Sequence, residues 1–265
     1  MMPAPVTLID TARVAYMPPD GVLHGPAIDA LMRWNLIALL VCFAAAHLWL
    51  IAAVLRRRKA AIPTPQSESQ DADRLPKIFR WVLLGALCAM YVLMAITAQR
   101  LWAANRFEGP SLEAMQVEVV GQQFQWYFRY PGRDAVFGAT QAEFANAAAG
   151  NPLGIDARDA QGADDMVSSV LVLPAGREVD LRLRSLDVIH GFFIPGMRLK
   201  QNAVPGLLLH VHFTPEVPGT YPILCSQVCG LGHARMEAQL RVVSPPEYEA
   251  WMVAHERAHV NRGGQ

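Results

Sequence analysis

Two long runs of uncharged, mostly apolar residues constrain the fold of this chain more than any other feature. The first covers residues 35–55 (NLIALLVCFAAAHLWLIAAVL) and the second covers residues 81–98 (WVLLGALCAMYVLMAITA). At about 1.5 Å per residue, helices of this length cross the roughly 30 Å hydrocarbon core of a bilayer. Only 17 % of all residues are charged, against roughly 25 % in ordinary soluble domains. The sequence therefore predicts a two-helix transmembrane hairpin over residues 35–102, with a connecting loop at 56–80.

The distribution of charge predicts which way the chain faces. The loop at 56–80 holds seven Lys or Arg and three Asp or Glu, and basic loops remain in the cytoplasm. We therefore expect both termini, including the tail at 1–34, on the periplasmic side of the inner (plasma) membrane. Residues 103–265 carry 13 basic and 17 acidic side chains, and this negative balance would steer a basic partner protein. The whole-chain total of 23 basic and 23 acidic residues excludes a nucleic-acid binder, which needs a basic surface.

Beyond residue 102 the pattern changes to short runs with β character, separated by Gly and Pro. The predicted strands are 116–120, 124–130, 167–173, 179–183, 207–213 and 238–243, with a further strand-like run at 221–224. Many short strands at this spacing predict an all-β sandwich or barrel over residues 103–245. Residues 131–168, rich in Gly, Ala and Asp, predict a long surface excursion. Residues 246–265 predict a short C-terminal helix.

Soft metal ligands are concentrated in the segment 225–236, which reads CSQVCGLGHARM. Its two thiols, imidazole and thioether favour copper, since zinc sites more often have two residues between cysteines and no methionine. The extra cysteine supplies enough sulfur to bridge two metal ions. A disulfide between the cysteines is the alternative interpretation, in which the histidine and methionine have no role.

A copper site of this kind needs one more imidazole from elsewhere in the chain. His190, in the apolar stretch SLDVIHGFF at 185–193, is the first candidate. His210 and His212 compete with it, because they alternate along one predicted strand and face the same side of the sheet.

The two spans, the exported β domain and the ligand string resemble subunit II of the haem-copper respiratory oxidases (cytochrome c oxidase). Supporting motifs are Asp-Val-Ile-His at 187–190, Lys-Gln-Asn-Ala-Val-Pro-Gly at 200–206 and the aromatic run QFQWYFRY at 123–130. The resemblance implies a cupredoxin-like sandwich that carries a dinuclear copper A centre. It also implies that cytochrome c or a similar one-electron donor reduces the copper, and that electrons pass to haem in subunit I of the complex for O2 reduction.

The resemblance further implies a ligand set and a point of electron input. The implied bridging thiolates are Cys225 and Cys229, and the implied terminal imidazoles are His190 and His233. Met236 would be a weak thioether ligand, and Gln227 would be a weak ligand through its main-chain carbonyl. Phe124 stands where many members have the tryptophan that admits electrons, and Trp126, two residues on, is expected to face the same side of a strand.

Two other positions depart from the family pattern. Gln227 stands where many members have a glutamate that binds Mg or Mn at the subunit I interface. An amide is a poor ligand for such a hard cation, so the sequence does not favour this second metal site. The segment 75–80 also lacks the carboxylate that marks a proton channel in some members. These departures keep open a copper A subunit of a nitric-oxide-reductase-like haem-copper complex.

Two further hypotheses come from other classes of protein. His255-Glu-Arg-Ala-His259 matches the HExxH pattern of zinc metallopeptidases, with Glu256 as the general base. The spacing of the two cysteines also suits a copper chaperone, which would place them in a thioredoxin-like βαβ unit. Here the cysteines follow a strand late in a β domain, and a lone five-residue motif recurs by chance.

Overall fold

The computed structural model describes residues 18–59, 77–106, 108–156 and 158–263. Contacts between residues divide the chain into two units, of which one comprises residues 26–107 and the other comprises residues 1–25 with 108–265. Most of the predicted cytoplasmic loop at 56–80 lies outside the described residues.

The smaller unit contains two long apolar helices, as predicted. Helix α1 covers Gly25–Lys59 and helix α2 covers Lys77–Arg106. Their segments Gly25–Arg56 and Arg80–Arg106 contain 18-residue stretches with mean hydropathies of 2.5 and 2.1, and both segments are long and apolar enough to cross a membrane. Helix α1 is longer than the predicted span at 35–55, because residues on both sides of the uncharged run are also helical.

The larger unit is a sandwich of two five-stranded sheets, which confirms the predicted cupredoxin-like fold. Its strands are β1 (Met115–Gln122), β2 (Gln125–Tyr130), β3 (Met166–Ser168), β4 (Val170–Pro174), β5 (Val179–Ser185), β6 (His190–Ile194), β7 (Leu199–Ala203), β8 (Leu209–Phe213), β9 (Gly219–Cys225) and β10 (Glu237–Val243). The first sheet has the order β3-β2-β1-β5-β8 and the second has the order β4-β10-β9-β6-β7. The pairs β1–β5 and β4–β10 are parallel and the others are antiparallel.

Alternating side chains from both sheets fill the core between them. Along β5, for example, Leu181 and Leu183 are fully buried, whereas Arg182 and Arg184 point outward. Trp126 and Phe128 of β2 meet Phe192 of the opposite sheet edge-on, with ring centroids 5.2 and 6.5 Å apart. This alternation is the period-two pattern from which the sequence predicts half-buried strands.

One strand prediction required correction. The run predicted as one strand at 167–173 is two strands, since β3 ends at Ser168 in the first sheet and β4 begins at Val170 in the second. The Ser168 hydroxyl accepts a hydrogen bond from the Val170 N–H and donates one to the Val170 carbonyl. These two hydrogen bonds support the crossing of the chain from one sheet to the other. Strands β6 and β7 had no predicted counterpart.

The excursion at 131–165 is held against the outer face of the first sheet by buried charges. Arg129 contacts the carboxylate of Asp165 and donates to the Gly138 carbonyl at 2.6 Å, while the Gly138 N–H donates to Asp165 at 3.0 Å. Burial raises the pKa of Asp165 even though Arg129 acts in the opposite direction. The surface-excursion prediction is therefore wrong for its end, because Asp165 is buried and 166–168 form β3.

Described residues before α1 and after β10 also contribute to the β domain. Val22, just before α1, is buried in the core, and the Leu23 N–H donates to the Thr214 carbonyl at 3.0 Å. The C-terminal helix α3 covers Pro245–Gly263, as predicted, and packs Trp251 against Tyr130 with ring centroids 5.0 Å apart.

Candidate metal centre

Loops from both sheets meet at one end of the sandwich. The β1–β2 turn contacts the β5–β6 loop, because the Gln123 N–H donates to Asp187 at 2.7 Å. The Gln123 side-chain amide donates to the Cys229 carbonyl in the β9–β10 loop at 2.6 Å. The Ser226 N–H of this last loop donates to the Gly191 carbonyl of β6 at 2.8 Å. These hydrogen bonds link the four chain segments that carry the predicted ligands and their neighbours.

Sulfur atoms lie at the centre of this end of the domain. Cys229 Sγ is 3.8 Å from Cys225 Sγ, 3.7 Å from Met236 Sδ and 3.8 Å from His233 Nδ1. Cys225 Sγ lies 3.1 Å from the carbonyl oxygen of Gln227. Both cysteines are free thiols, so the structure does not contain the disulfide considered from the sequence.

Of the three candidates for the second imidazole, His190 lies beside the cysteines and its two competitors do not. Ligand atoms of His190, Cys225 and Cys229 lie within 4.8 Å of one another, and His190 is 0 % exposed. His210 and His212 instead contact carboxylates on the outer face of the first sheet, at 2.8 Å from Asp180 and 3.3 Å from Glu178 respectively.

The two ring nitrogens of His190 have different surroundings. Nε2 lies 2.8 Å from Oδ1 of Asp187, whereas Nδ1 is buried and has no hydrogen-bond partner among the described residues. With the Nε2 hydrogen donated to the carboxylate, Nδ1 carries a lone pair. A buried polar atom without a partner costs free energy, and a metal ion at the sulfur atoms would satisfy it.

The donor set fits a soft metal ion. Burial and the neighbouring Cys225 thiol raise the pKa of Cys229 to about 11, so the Cys229 thiol stays protonated at neutral pH until a cation displaces its proton. Burial acts to raise the pKa of Asp187, but hydrogen bonds from Gln123, His190 and Val188 outweigh it and the pKa is lowered. An ionised Asp187 therefore holds the His190 ring in place, as carboxylates do for metal-bound histidines.

Glycines bring the supporting segments close enough to the centre. A Cβ on Gly121 of β1 would lie 2.9 Å from Cδ2 of His190, closer than any side chain tolerates. Gly230 has φ +141°, a conformation that L side chains rarely adopt. A Cβ on Gly232 would lie 2.3 Å from the Phe124 ring. Glycine at these two positions therefore lets the ligand loop turn tightly against Phe124.

The two candidate aromatics for electron input have different exposures. Phe124 is 38 % exposed and lies in the turn before β2, whereas Trp126 is fully buried within β2. The expectation that they face one side of a strand is wrong, because the strand begins only at Gln125. Of the two, only Phe124 can touch another protein directly, while Trp126 contacts His190 edge-on with ring centroids 5.8 Å apart.

The described residues do not support the hypothesis that the HExxH motif binds zinc. The His255 imidazole lies 2.9 Å from the Trp251 carbonyl one turn earlier in α3. The side chains of Glu256 and His259 lie outside the described residues. The cysteines of the centre lie on a β sandwich rather than in the βαβ unit expected of a chaperone.

Comparison with known proteins assigns this domain to a family. Residues 115–243 match the family described as cytochrome c oxidase subunit II, periplasmic domain. This domain belongs to the subunit II family. Its homologues are subunits of an oxidoreductase complex, and the match spans β1 to β10 of the subunit II domain, including every residue of the sulfur-rich centre.

Subunit II relatives match over only part of their own lengths. The alternative cytochrome c oxidase subunit 2 of Bradyrhizobium diazoefficiens is 37 % identical over 160 residues, which cover 60 % of this chain and 57 % of the relative. Cytochrome c oxidase subunit 2 of Synechocystis is 36 % identical over 151 residues, covering 57 % and 36 % respectively. The crystal structure of the subunit II periplasmic domain of Bradyrhizobium japonicum is 23 % identical, with a TM-score of 0.42, and covers 56 % of this chain and 98 % of that chain.

Proposed function

We propose that this chain admits electrons into a membrane haem-copper oxidase through a dinuclear copper centre at the sulfur-rich end of its β domain. The observation that carries the proposal is the buried, unpartnered Nδ1 of His190 beside two free thiols. The ligands would be the six residues expected from the sequence, namely His190, Cys225, Gln227 through its carbonyl, Cys229, His233 and Met236.

Each ligand would have a distinct task. The thiolates of Cys225 and Cys229 would hold the copper, and the copper would supply one-electron transfer. Cys225 and Cys229 would supply the negative charge that holds two cations at one place. His190 and His233 would supply neutral imidazoles, and Met236 would supply a weak thioether contact.

The sandwich limits how far these ligands move when the charge of the centre changes. Cys225 ends β9 and pairs directly with Phe192 of β6, so one hydrogen-bonded sheet joins the ligand loop to the strand that begins with His190. A stiff ligand frame keeps the geometry similar in both oxidation states, which favours fast electron transfer at small driving force.

The N-terminal contacts support the proposed topology. Residues 18–24 precede α1 and pack into the β domain. This packing supports a topology in which the segment before the first span and the domain after the second span share one side of the membrane. Two spans with a basic loop between them then orient this side to the periplasm.

The partners and the terminal reaction are also part of the proposal. We infer that cytochrome c or a similar exported donor supplies electrons, and that a haem-bearing subunit I receives them and reduces O2. An amide at Gln227 does not favour a Mg or Mn site at that subunit interface. Assays of O2 and NO consumption on the purified complex separate the oxidase from the nitric-oxide-reductase-like alternative, since we expect consumption of O2 only.

Replacement of one thiol tests the copper centre. Cys229→Ser should abolish the near-infrared absorption band and the seven-line electron paramagnetic resonance pattern of two coppers that share one unpaired electron. Cys88→Ser is the matched control, because Cys88 is an exposed thiol of helix α2, and this variant should keep both signals. A Cys229→Ser protein that retains the signals would refute the assignment, and so would wild-type protein that purifies with zinc and without copper.

A further inference from the structure

The two halves of the β9–β10 loop, residues 226–236, are held by different contacts. In the first half, the Ser226 N–H donates to the Gly191 carbonyl of β6 at 2.8 Å, which joins this half to the second sheet. In the second half, the hydrogen bonds are local, for example from the His233 N–H to the Gly230 carbonyl at 3.1 Å. Local hydrogen bonds shape this second half but do not tie it to the rest of the domain.

One side chain from elsewhere in the domain is hydrogen-bonded to the middle of this loop. The side-chain amide of Gln123, in the β1–β2 turn, donates to the Cys229 carbonyl at 2.6 Å. Among the described residues, no other hydrogen bond joins residues 227–232 to a part of the chain outside 225–236. A Cβ on Gly230 would lie 2.9 Å from Nε2 of Gln123, so the amide fits against the loop because this residue is glycine.

The main chain of Gln123 holds the carboxylate behind His190. The Gln123 N–H donates to Oδ2 of Asp187 at 2.7 Å, and Oδ1 of Asp187 lies 2.8 Å from His190 Nε2. One residue of the β1–β2 turn therefore links the strand that begins with His190 to the loop that carries Cys229. Ligands from segments far apart in sequence depend on such supporting contacts for their relative positions.

We propose that Gln123 is a positioning residue that fixes the distance between His190 and Cys229 before copper binds. This inference rests on the proposed function. The side-chain amide holds the loop at Cys229, while the main-chain N–H holds Asp187 and, through it, His190. Preorganised groups bind more tightly because less conformational freedom is lost on binding. Gln123 is not itself one of the six proposed ligands.

Two substitutions remove the side-chain donor in different ways. Gln123→Met keeps the length of the side chain without a donor, and Gln123→Glu keeps its shape but places a carboxylate oxygen against the Cys229 carbonyl. Because partners that orient metal ligands are worth about 10–100-fold in metal affinity, we expect Gln123→Met to bind copper about ten-fold more weakly than the wild type. Gln123→Glu should lose more. Chelator competition on the purified complex, followed by the copper electron paramagnetic resonance signal, measures both.

A neighbouring glutamine provides the matched control. Gln125 is an exposed residue at the start of β2, and Gln125→Met removes the same amide from the same end of the domain. This variant should bind copper like the wild type, because the hydrogen bond to the Cys229 carbonyl comes from Gln123. Weakening of copper binding by Gln125→Met equal to that by Gln123→Met would overturn the proposal.

Hydrogen exchange of the copper-free protein reports positioning separately from copper binding. The N–H groups of His233, Arg235 and Met236 donate within the loop, and they should exchange faster in Gln123→Met because the loop opens locally more often. Exchange in strand β4, far from Gln123 in the second sheet, should equal that of the wild type. Equally faster exchange throughout the domain would show a general loss of stability and would overturn the positioning role.

Combination with Asp187→Asn tests whether one residue joins the two ligands. Substitutions within one hydrogen-bond network are not additive, so the double variant with Gln123→Met should weaken copper binding by less than the product of the two single factors. An effect equal to that product would overturn the proposal. Wild-type affinity in Gln123→Met or in Gln123→Glu would also overturn it, the latter by showing that only the size of the side chain matters. Absence of the copper signal from the wild type would instead refute the proposed function, and this inference with it.

Discussion

Asparagine in place of Asp187 should loosen His190 while leaving all six proposed ligands in the chain. Oδ1 of Asp187 lies 2.8 Å from His190 Nε2 and 2.6 Å from the Val188 N–H, and Oδ2 lies 2.7 Å from the Gln123 N–H. Both oxygens thus accept from N–H donors. In either orientation, an asparagine side chain directs its NH2 group at one of these donors, so at least one hydrogen bond is replaced by a repulsive contact.

The size of the effect follows from these contacts. Hydrogen bonds to charged groups contribute about 1.5–3 kcal/mol each, and Asp187→Asn removes the charge from three of them. Substitutions of carboxylates that orient metal-bound histidines weaken metal binding about 10–100-fold. Because each factor of ten corresponds to about 1.4 kcal/mol, the loss of about one charged hydrogen bond accounts for this range. We therefore expect Asp187→Asn to bind copper 10–100-fold more weakly than the wild type.

Chelator competition, followed by the copper electron paramagnetic resonance signal, measures this difference. Asp180→Asn is the matched control, because Asp180 also lies 2.8 Å from a histidine nitrogen, that of His210 on the outer face of the first sheet. It removes the same charge from the same kind of pair and should bind copper like the wild type. Equal copper affinity of Asp187→Asn and the wild type would refute the reasoning, and so would equal weakening by both substitutions.

Two further substitutions test other contacts. Gly121→Ala should lower the free energy of unfolding by about 1–3 kcal/mol and alter the copper signal, since its Cβ would press on His190. Gly219→Ala is the control, because a Cβ there would lie 3.6 Å from its nearest neighbour. It should change the free energy of unfolding by less than about 0.5 kcal/mol. Hydrogen bonds from Ser244 lower the pKa of Glu247, so this stabilisation of α3 is complete above the ordinary glutamate pKa of about 4.3 and is lost as pH falls through the lowered value. Hydrogen-exchange protection of α3 should therefore fall at acid pH in the wild type and not in Glu247→Gln. Identical pH profiles for the two proteins would contradict this role of Glu247.

Local patterns predicted those parts of the molecule whose contacts are close in sequence. The runs at 35–55 and 81–98 predicted helices α1 and α2 because uncharged length alone decides whether a helix suits a bilayer. The alternation at 179–184 predicted β5 because every second side chain faces the core. Residues 225–236 predicted the sulfur-rich centre because four donors lie on one loop.

Strand pairing at long range explains what the sequence patterns missed. The run at 167–173 has uniform β character, and only the presence of two sheets divides it into β3 and β4. Strand β6 is short and, after His190, has no polar residue, so no alternation marks it, yet it pairs with a strand on each side within the second sheet. Trp126 and Phe124 differ in exposure because the turn before β2 ends the alternation between them.

By itself, the sequence determined that this chain carries two apolar helices, a β domain and a loop rich in soft ligands, because each of these depends on composition or spacing within a short segment. The tertiary structure decided which distant histidine joins the loop. His190, His210 and His212 are all imidazoles on strands, but the pairing of β6 with β9 brings His190 to the cysteines, while β8 lies in the other sheet. Sheet order depends on the packing of the whole domain, and no short segment encodes it.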